Sequence, residues 1–201
     1  MTELGAPQGK RERTKAANRA AILRAGSETF AELGFGAASV RDIVRRTDLA
    51  TGTFYNYFPD KESVLREIMD DVAAQIRTRA RAARRDATDL EGFVADGFRA
   101  YYEVLAADRR LFALLRRNAG TIRAMSDEPA IFAGHEELEE DLRAAVETGA
   151  LPDLDVRYLA GAMVGAGFEV AVLMLEHDPP DVDGAVAFVT SLLVGGIERL
   201  S

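Results

Sequence analysis

The residues most suited to chemistry lie between Ser39 and Lys61, in the stretch SVRDIVRRTDLATGTFYNYFPDK. Thr51, Thr53, Tyr55, Asn56 and Tyr57 bring hydroxyl and amide groups that hydrogen-bond base edges or phosphates, and threonine also touches thymine methyls. Arg41, Arg45 and Arg46 precede them. Catalytic constellations are thin by comparison. The chain has no cysteine and two histidines. His135 and Glu139 stand at i, i+4, without the H-E-x-x-H pattern of a zinc site, and read as a solvated helix face. His177 is expected near a helix end, where it favours the dipole. Gly161, Gly165 and Gly167 lack the strand-then-turn setting of a phosphate loop. The expectation is therefore a non-enzyme with no cofactor and no metal.

Two short helices joined by a turn must position the polar cluster. Ser39 can cap the first, and Asp42 three residues on completes the S-x-x-D capping box. Val40, Ile43 and Val44 then share one buried face. Thr47 to Ala50 make the turn. Thr51 is expected to cap a second helix running to Phe58, which Pro59 stops. A major-groove reader is built this way; a helical hairpin packed inside a bundle fits the same pattern.

The run Gly52-Thr53-Phe54-Tyr55-Asn56-Tyr57-Phe58-Pro59-Asp60-Lys61-Glu62, followed by Val64-Leu65, resembles the recognition-helix signature of the TetR family of bacterial transcriptional regulators. Leu33-Gly34-Phe35, with Ser39 following, fits the same family. The resemblance covers about residues 14 to 66. It implies that Thr51, Thr53, Tyr55, Asn56 and Tyr57 face the groove and that Arg41 reaches a base, with guanine preferred. It implies phosphate contacts for Ser39, Tyr57 and Lys61, close backbone approach at Gly52, and structural roles for Phe54 and Phe58.

The net charge of −8 at first argues against nucleic acid. Its distribution does not. Residues 1–60 hold nine basic and seven acidic side chains, a net of +2, and the remainder hold 16 and 26, a net of −10. Lys10, Arg11, Arg13, Lys15 and Arg19 concentrate near the start, where they can reach phosphates or serve as a solubilising tail. A mildly basic head on an acidic body confines the electrostatic footprint to one end.

An all-α chain of about nine helices is expected, with a helix-turn-helix head at 10–60 and a helical ligand-binding and dimerisation body at 61–201. Residues 1–9 read as disordered. Helix 1 runs from about Thr14 to Leu33, with Gly34 as its stop. A long helix from Lys61, capped by Asp60, links head to body. Its Arg77–Arg85 end reads as charged surface. Thr88 with Glu91 suggests a further capping box, Asn118 ends a short helix, and Ala119 to Ser126 reads as a connection. The last two helices, from Asp155 to about Glu176 and from Asp183 to Leu200, are apolar around much of their circumference and rich in glycine. Clustered glycines, each costing about 1 kcal/mol in a helix, suit backbones that approach closely. A hairpin pairing with its copy about a two-fold axis satisfies them, and so does burial within one monomer; the family resemblance implies a homodimer through these helices.

The resemblance also implies a small-molecule cavity in the body. Its expected lining is Phe93, Tyr101, Tyr102, Leu105, Phe112, Phe132, Met163 and Phe168, which suits a lipophilic effector. Glu169 joins them, because a carboxylate buried in an apolar helix is costly unless paired. The longest apolar run, Val170 to Leu175, is far short of a bilayer span, and no signal region opens the chain, so the expected place is the cytoplasm, away from membranes. The expected partners are double-stranded operator DNA, a lipophilic effector and a second copy. The alternative is a helical small-molecule-binding protein without sequence-specific DNA binding.

Overall fold

The computed structural model describes residues 6–124, 129–149 and 151–200, without the side chains of residues 6–8, 10, 123 and 129–133. Among the described residues there are nine helices and no strand. They are α1 (Ala6–Leu33), α2 (Val40–Val44), α3 (Thr51–Phe54), α4 (Lys61–Asp86), α5 (Leu90–Ala106), α6 (Arg109–Ala124), α7 (Pro129–Glu147), α8 (Val156–Met174) and α9 (Val182–Ile197).

The chain forms two compact units. The first comprises residues 1–69 and 113–121, and the second comprises 70–112 and 122–201. The first unit thus takes in the first turns of α4, and with them the middle of α6. The reason is a set of hydrogen bonds from Asn118. Its Oδ1 accepts from the Phe35 N–H at 2.6 Å, and its Nδ2 donates to the carbonyls of Phe30 (3.1 Å) and Leu114 (2.7 Å). Asn118 itself departs from helical geometry, at φ −114° and ψ 15°. The helix does not end there, as its sequence suggested, but kinks and continues to Ala124.

In the first unit, Ile22, Ala25 and Phe30 of α1 meet Ile43, Phe54, Phe58, Val64 and Leu65 in the core. α1 crosses α4 closely at Gly26, where an added Cβ would lie 2.5 Å from Val64 Cγ1. Gly34 adopts φ 79° and its N–H donates to the Phe30 carbonyl, the left-handed stop expected after α1. α1 begins at Ala6, so residues 6–9, expected to be disordered, are helical, while residues 1–5 lie outside the described residues.

In the second unit α5 packs on α9 and α8, and α8 packs on α7 and α9. Gly167 lets α8 approach α5, since a Cβ there would sit 2.6 Å from Phe98. The arginines of Arg77–Arg85 are not idle surface. Arg77, Arg81 and Arg84 reach Glu137, Glu140 and Asp141 of α7, and the Arg84–Asp141 pair closes at 2.7 Å. Asp89, rather than Thr88, caps α5, accepting from the Gly92 N–H at 2.7 Å. A cap needs extended backbone with its carboxylate aimed at the first turn, and Asp89 has it at φ −148° and ψ 174°. By length and composition alone α8 is apolar enough to cross a membrane, a test that the core helices of folded domains also pass.

A groove-reading head and an apolar body

Ser39 starts the head's two-helix pair as its sequence indicates. Its Oγ accepts from the Asp42 N–H at 3.3 Å, and the Asp42 carboxylate accepts from the Ser39 N–H at 3.0 Å. These hydrogen bonds hold the Asp42 carboxyl below its ordinary pKa. The Ser39 hydroxyl also donates to Asp42, at 2.5 Å, so the expected phosphate-contacting group is already engaged in the cap.

α3 is shorter than expected. Ala50, not Thr51, is its N-cap residue, and the helix gives way after Phe54 to turn geometry from Tyr55 to Tyr57, closed by the Phe58 N–H donating to the Phe54 carbonyl at 3.1 Å. Thr51 has already entered the helix, which removes it from capping and leaves its hydroxyl on the exposed face. Phe54 and Phe58 anchor the segment, with 0% and 2% of their surfaces accessible. Their rings lie 6.1 Å apart. The opposite side is polar and open. Thr51, Gly52, Tyr55 and Asn56 are exposed, Thr53 and Tyr57 are half-buried, and among the described residues nothing beyond the local backbone comes within 4 Å of a Cβ built on Gly52. Arg41 is exposed on α2.

Two side chains of α1, Asn18 and Arg19, hold this surface in place. Asn18 Nδ2 donates to the Tyr57 hydroxyl at 3.1 Å, fixing the ring from α1. Arg19 lies 4.7 Å over the Phe58 ring and pairs with Glu67 through its Nε at 2.7 Å. Lys61 differs from its expected role. Its ammonium donates to the Phe35 carbonyl at 2.7 Å and the Ala38 carbonyl at 2.8 Å, beside the Phe35 ring. Of its three N–H donors, two are thus used inside the head. Only the distance along the chain, 39 residues for Asn18–Tyr57 and 26 for Lys61–Phe35, hid these contacts from sequence reading.

The expected body lining is partly gathered. Tyr102, Leu105 and Met163 are buried; Phe93, Tyr101, Phe112 and Phe168 are half-buried. The Tyr101 and Tyr102 rings lie 5.2 Å apart, and Phe98, absent from the expected set, sits 5.7 Å from Tyr102. Burial pushes both phenols above the ordinary tyrosine value, so they stay neutral donors. The Tyr102 hydroxyl is buried without a hydrogen-bond partner among the described residues, as is the Thr190 hydroxyl. Phe93 instead lies under the Arg84 guanidinium, 5.9 Å from its ring centroid. The Phe132 side chain lies outside the described residues. Glu169 is exposed, which corrects the expectation of a buried carboxylate: it shares the open side of α8 with Tyr158, Gly165 and Leu173. His135 Nε2 meets Glu139 at 3.2 Å, and Glu139 also meets Arg143, the charged helix face expected.

Residues 22–68 match the family of bacterial regulatory proteins known as the tetR family. An uncharacterised HTH-type transcriptional regulator of Haemophilus influenzae is 26% identical over 116 residues, and the match spans 57% of this chain and 55% of that protein. The fatty acid metabolism regulator protein of Bacillus subtilis is 26% identical over 185 residues, covering 89% of this chain and 94% of that protein. The solved structure of a transcriptional regulator FadR from Bacillus subtilis, in complex with stearoyl-CoA, shares the fold at a TM-score of 0.77 and 23% identity, over 89% of this chain and 98% of that one. These likenesses favour the DNA-reading head over a bundle that merely binds small molecules. With its capped α2, its open polar α3 and the matching residues 22–68, the head is that of the tetR family of bacterial regulatory proteins.

Proposed function

We propose that this regulator acts as a repressor, occupying a palindromic operator as a homodimer until a lipophilic effector binds its body. The observation that carries the reading is the two-sidedness of α3: Phe54 and Phe58 are locked into the core while Thr51, Gly52, Tyr55 and Asn56 stand open. A helix so held presents hydrogen-bonding groups to base edges without ordering them at the moment of binding. Arg41 supplies a guanine-reading group at the start of α2, and the remaining donor of Lys61 is left for phosphate.

The dimer reading rests on the open side of the last two helices. Tyr158, Val164 and Leu173 of α8 and Phe188 and Leu192 of α9 are exposed at 45–80%. Among the described residues, nothing outside the local helix backbone lies within 4 Å of a Cβ at Gly161, Gly165, Gly195 or Gly196. Exposed large side chains beside bare glycines fit a second copy of the same hairpin, packed about a two-fold axis. Two recognition helices then fall on successive major grooves, about 34–36 Å apart.

The effector reading rests on the aromatic cluster of α5, on the unpartnered Tyr102 hydroxyl, and on relatives named for fatty acid metabolism. A long acyl chain suits the rings, and a carbonyl or hydroxyl of the ligand suits Tyr102. α4, a single helix whose residues divide between the two units, would transmit the change. The test is selection of bound sequences from a random DNA pool, followed by titration of the enriched DNA complex with long-chain acyl-CoA thioesters and free fatty acids. One enriched palindrome, released by a lipophilic ligand, is expected. Linkage requires DNA to weaken ligand binding by the same factor; unequal equilibrium factors would refute the release mechanism, and a flat selection by folded protein would refute the operator.

A further inference from the structure

Few polar groups are buried in either unit, and most of them are bonded. Among the described residues the buried polar side chains are Thr29, Asn118 and Thr190, and Tyr102 is the buried phenol. Thr29 Oγ1 donates to the Ala25 carbonyl at 2.7 Å, and Asn118 makes its three bonds in the head. Arg81 has a buried Nε, but its guanidinium meets Glu137, Glu140 and Asp141. The hydroxyls of Tyr102 and Thr190 have no hydrogen-bond partner among the described residues. Both belong to the second unit, Tyr102 on α5 and Thr190 on α9, two helices that pack on each other. A core hydroxyl left unbonded is destabilising, because water bonds it in the unfolded chain. Two of them on one pair of helices call for a partner from outside the chain.

Their surroundings narrow that partner's chemistry. Tyr102 shares the buried face of α5 with Val94, Phe98 and Leu105, and Phe98 in turn meets α8 at Gly167. Thr190 stands among the buried Val186, Val189 and Leu193 of α9. No acidic or basic residue is buried among the described residues. A carboxylate drawn in beside these hydroxyls would meet no opposite charge, and desolvating it costs far more than two hydroxyl bonds return. Burial holds the Tyr102 phenol above its ordinary value, so it stays protonated. Each hydroxyl can then both donate and accept.

We propose that Tyr102 and Thr190 are the polar anchors of the effector site and that they select a lipophilic molecule whose oxygen is uncharged, an alcohol or a ketone, over one that carries a carboxylate. The proposal rests on the reading of the body as the site of a lipophilic effector. A ketone oxygen accepts from these hydroxyls, and an alcohol accepts and donates. A thioester carbonyl is likewise neutral; the carboxylate of a free fatty acid is not.

The test is isothermal titration of the full chain with dodecyl alcohol, methyl decyl ketone and dodecanoate, above the ordinary carboxylate range. The proteins are the wild type, Tyr102→Phe, Thr190→Val and the double variant. The wild type should bind the alcohol or the ketone at least about tenfold more tightly than dodecanoate. Each substitution should weaken that binding about fivefold, and the pair about 25-fold. Both substitutions keep the side chain's outline and remove a hydroxyl with nothing to bond, so the unliganded variants should melt no lower than the wild type by circular dichroism. Dodecanoate binding as tightly as the neutral ligands would overturn the proposal while leaving the lipophilic effector standing. So would variants that bind the alcohol and ketone like the wild type, or unliganded variants that melt lower, since their hydroxyls would then be bonded within the fold. Binding of none of the three would overturn the lipophilic-effector reading, and this proposal with it.

Discussion

Asn118→Ala removes three hydrogen bonds at once from a site where the residue is 4% exposed. Each contributes a net of about 1 kcal/mol, and the Phe35 N–H and Phe30 carbonyl lose their partner. That loss sums to about 3 kcal/mol, and the better helix propensity of alanine offsets up to about 0.6 kcal/mol. For a chain of this size each kcal/mol moves the thermal midpoint by about 2–4 °C, so a fall of about 5–10 °C is expected. Thermal unfolding by circular dichroism measures it, with operator affinity followed in parallel. Asn118→Asp sharpens the test. Its carboxylate can still accept from the Phe35 N–H, but it faces the Phe30 and Leu114 carbonyls with lone pairs where Asn118 has donors. Burial raises the folded-state pKa of such a carboxyl above its unfolded value, so the variant should regain stability as pH falls and the group protonates. A midpoint for Asn118→Ala within 2 °C of the wild type would refute the assignment of Asn118 as the fastening of the head.

Three further outcomes are expected. Gly26→Ala should destabilise the first unit by about 1–3 kcal/mol in urea unfolding, because its methyl would press on Val64 Cγ1 at 2.5 Å. Arg84→Met should cost up to about 3 kcal/mol by leaving the Asp141 carboxylate, 13% exposed, with only the longer contact to Arg81 at 3.9 Å; adding Asp141→Leu should restore most of it. The Asp42 carboxyl titrates below its unfolded value, so its contribution is complete above the ordinary carboxylate range and is lost as pH falls from there through the lowered folded value. The stability difference between wild type and Asp42→Asn should therefore be flat near neutrality and start to shrink only as pH drops to about 4, the ordinary carboxylate value, as read from melts across pH.

What was legible in the sequence was local. The capping box of Ser39 and Asp42 spans four residues and could be read from spacing, while the anchoring roles of Phe54 and Phe58 came from the resemblance of the run around them. The cap of α3 was misassigned because threonine is a better capping residue than alanine, yet the chain turns one residue earlier and Ala50 takes the extended geometry without a side-chain bond. Glu169 misled for a different reason. A helix apolar on most sides suggests burial all round, whereas the open side of α8 carries Tyr158, Leu173 and bare glycines together with the carboxylate. Asn118 and Asn18 were invisible because their partners lie 83 and 39 residues away, and nothing in the intervening chain marks them as polar anchors.

The head being assembled from residues 1–69 and 113–121 has a consequence for the order in which the protein can form. During synthesis the recognition segment emerges first, but the Phe35 N–H and Phe30 carbonyl stay without their side-chain partner until Asn118 follows. Between them the ribosome must add the rest of α4, all of α5 and the start of α6. A nascent head is thus held incomplete while part of the body is made, and a fragment cut at Met69 would keep the groove-facing residues yet lack the side chain that closes the turn after α1. The unit that reads DNA is in this sense not separable from the chain that follows it.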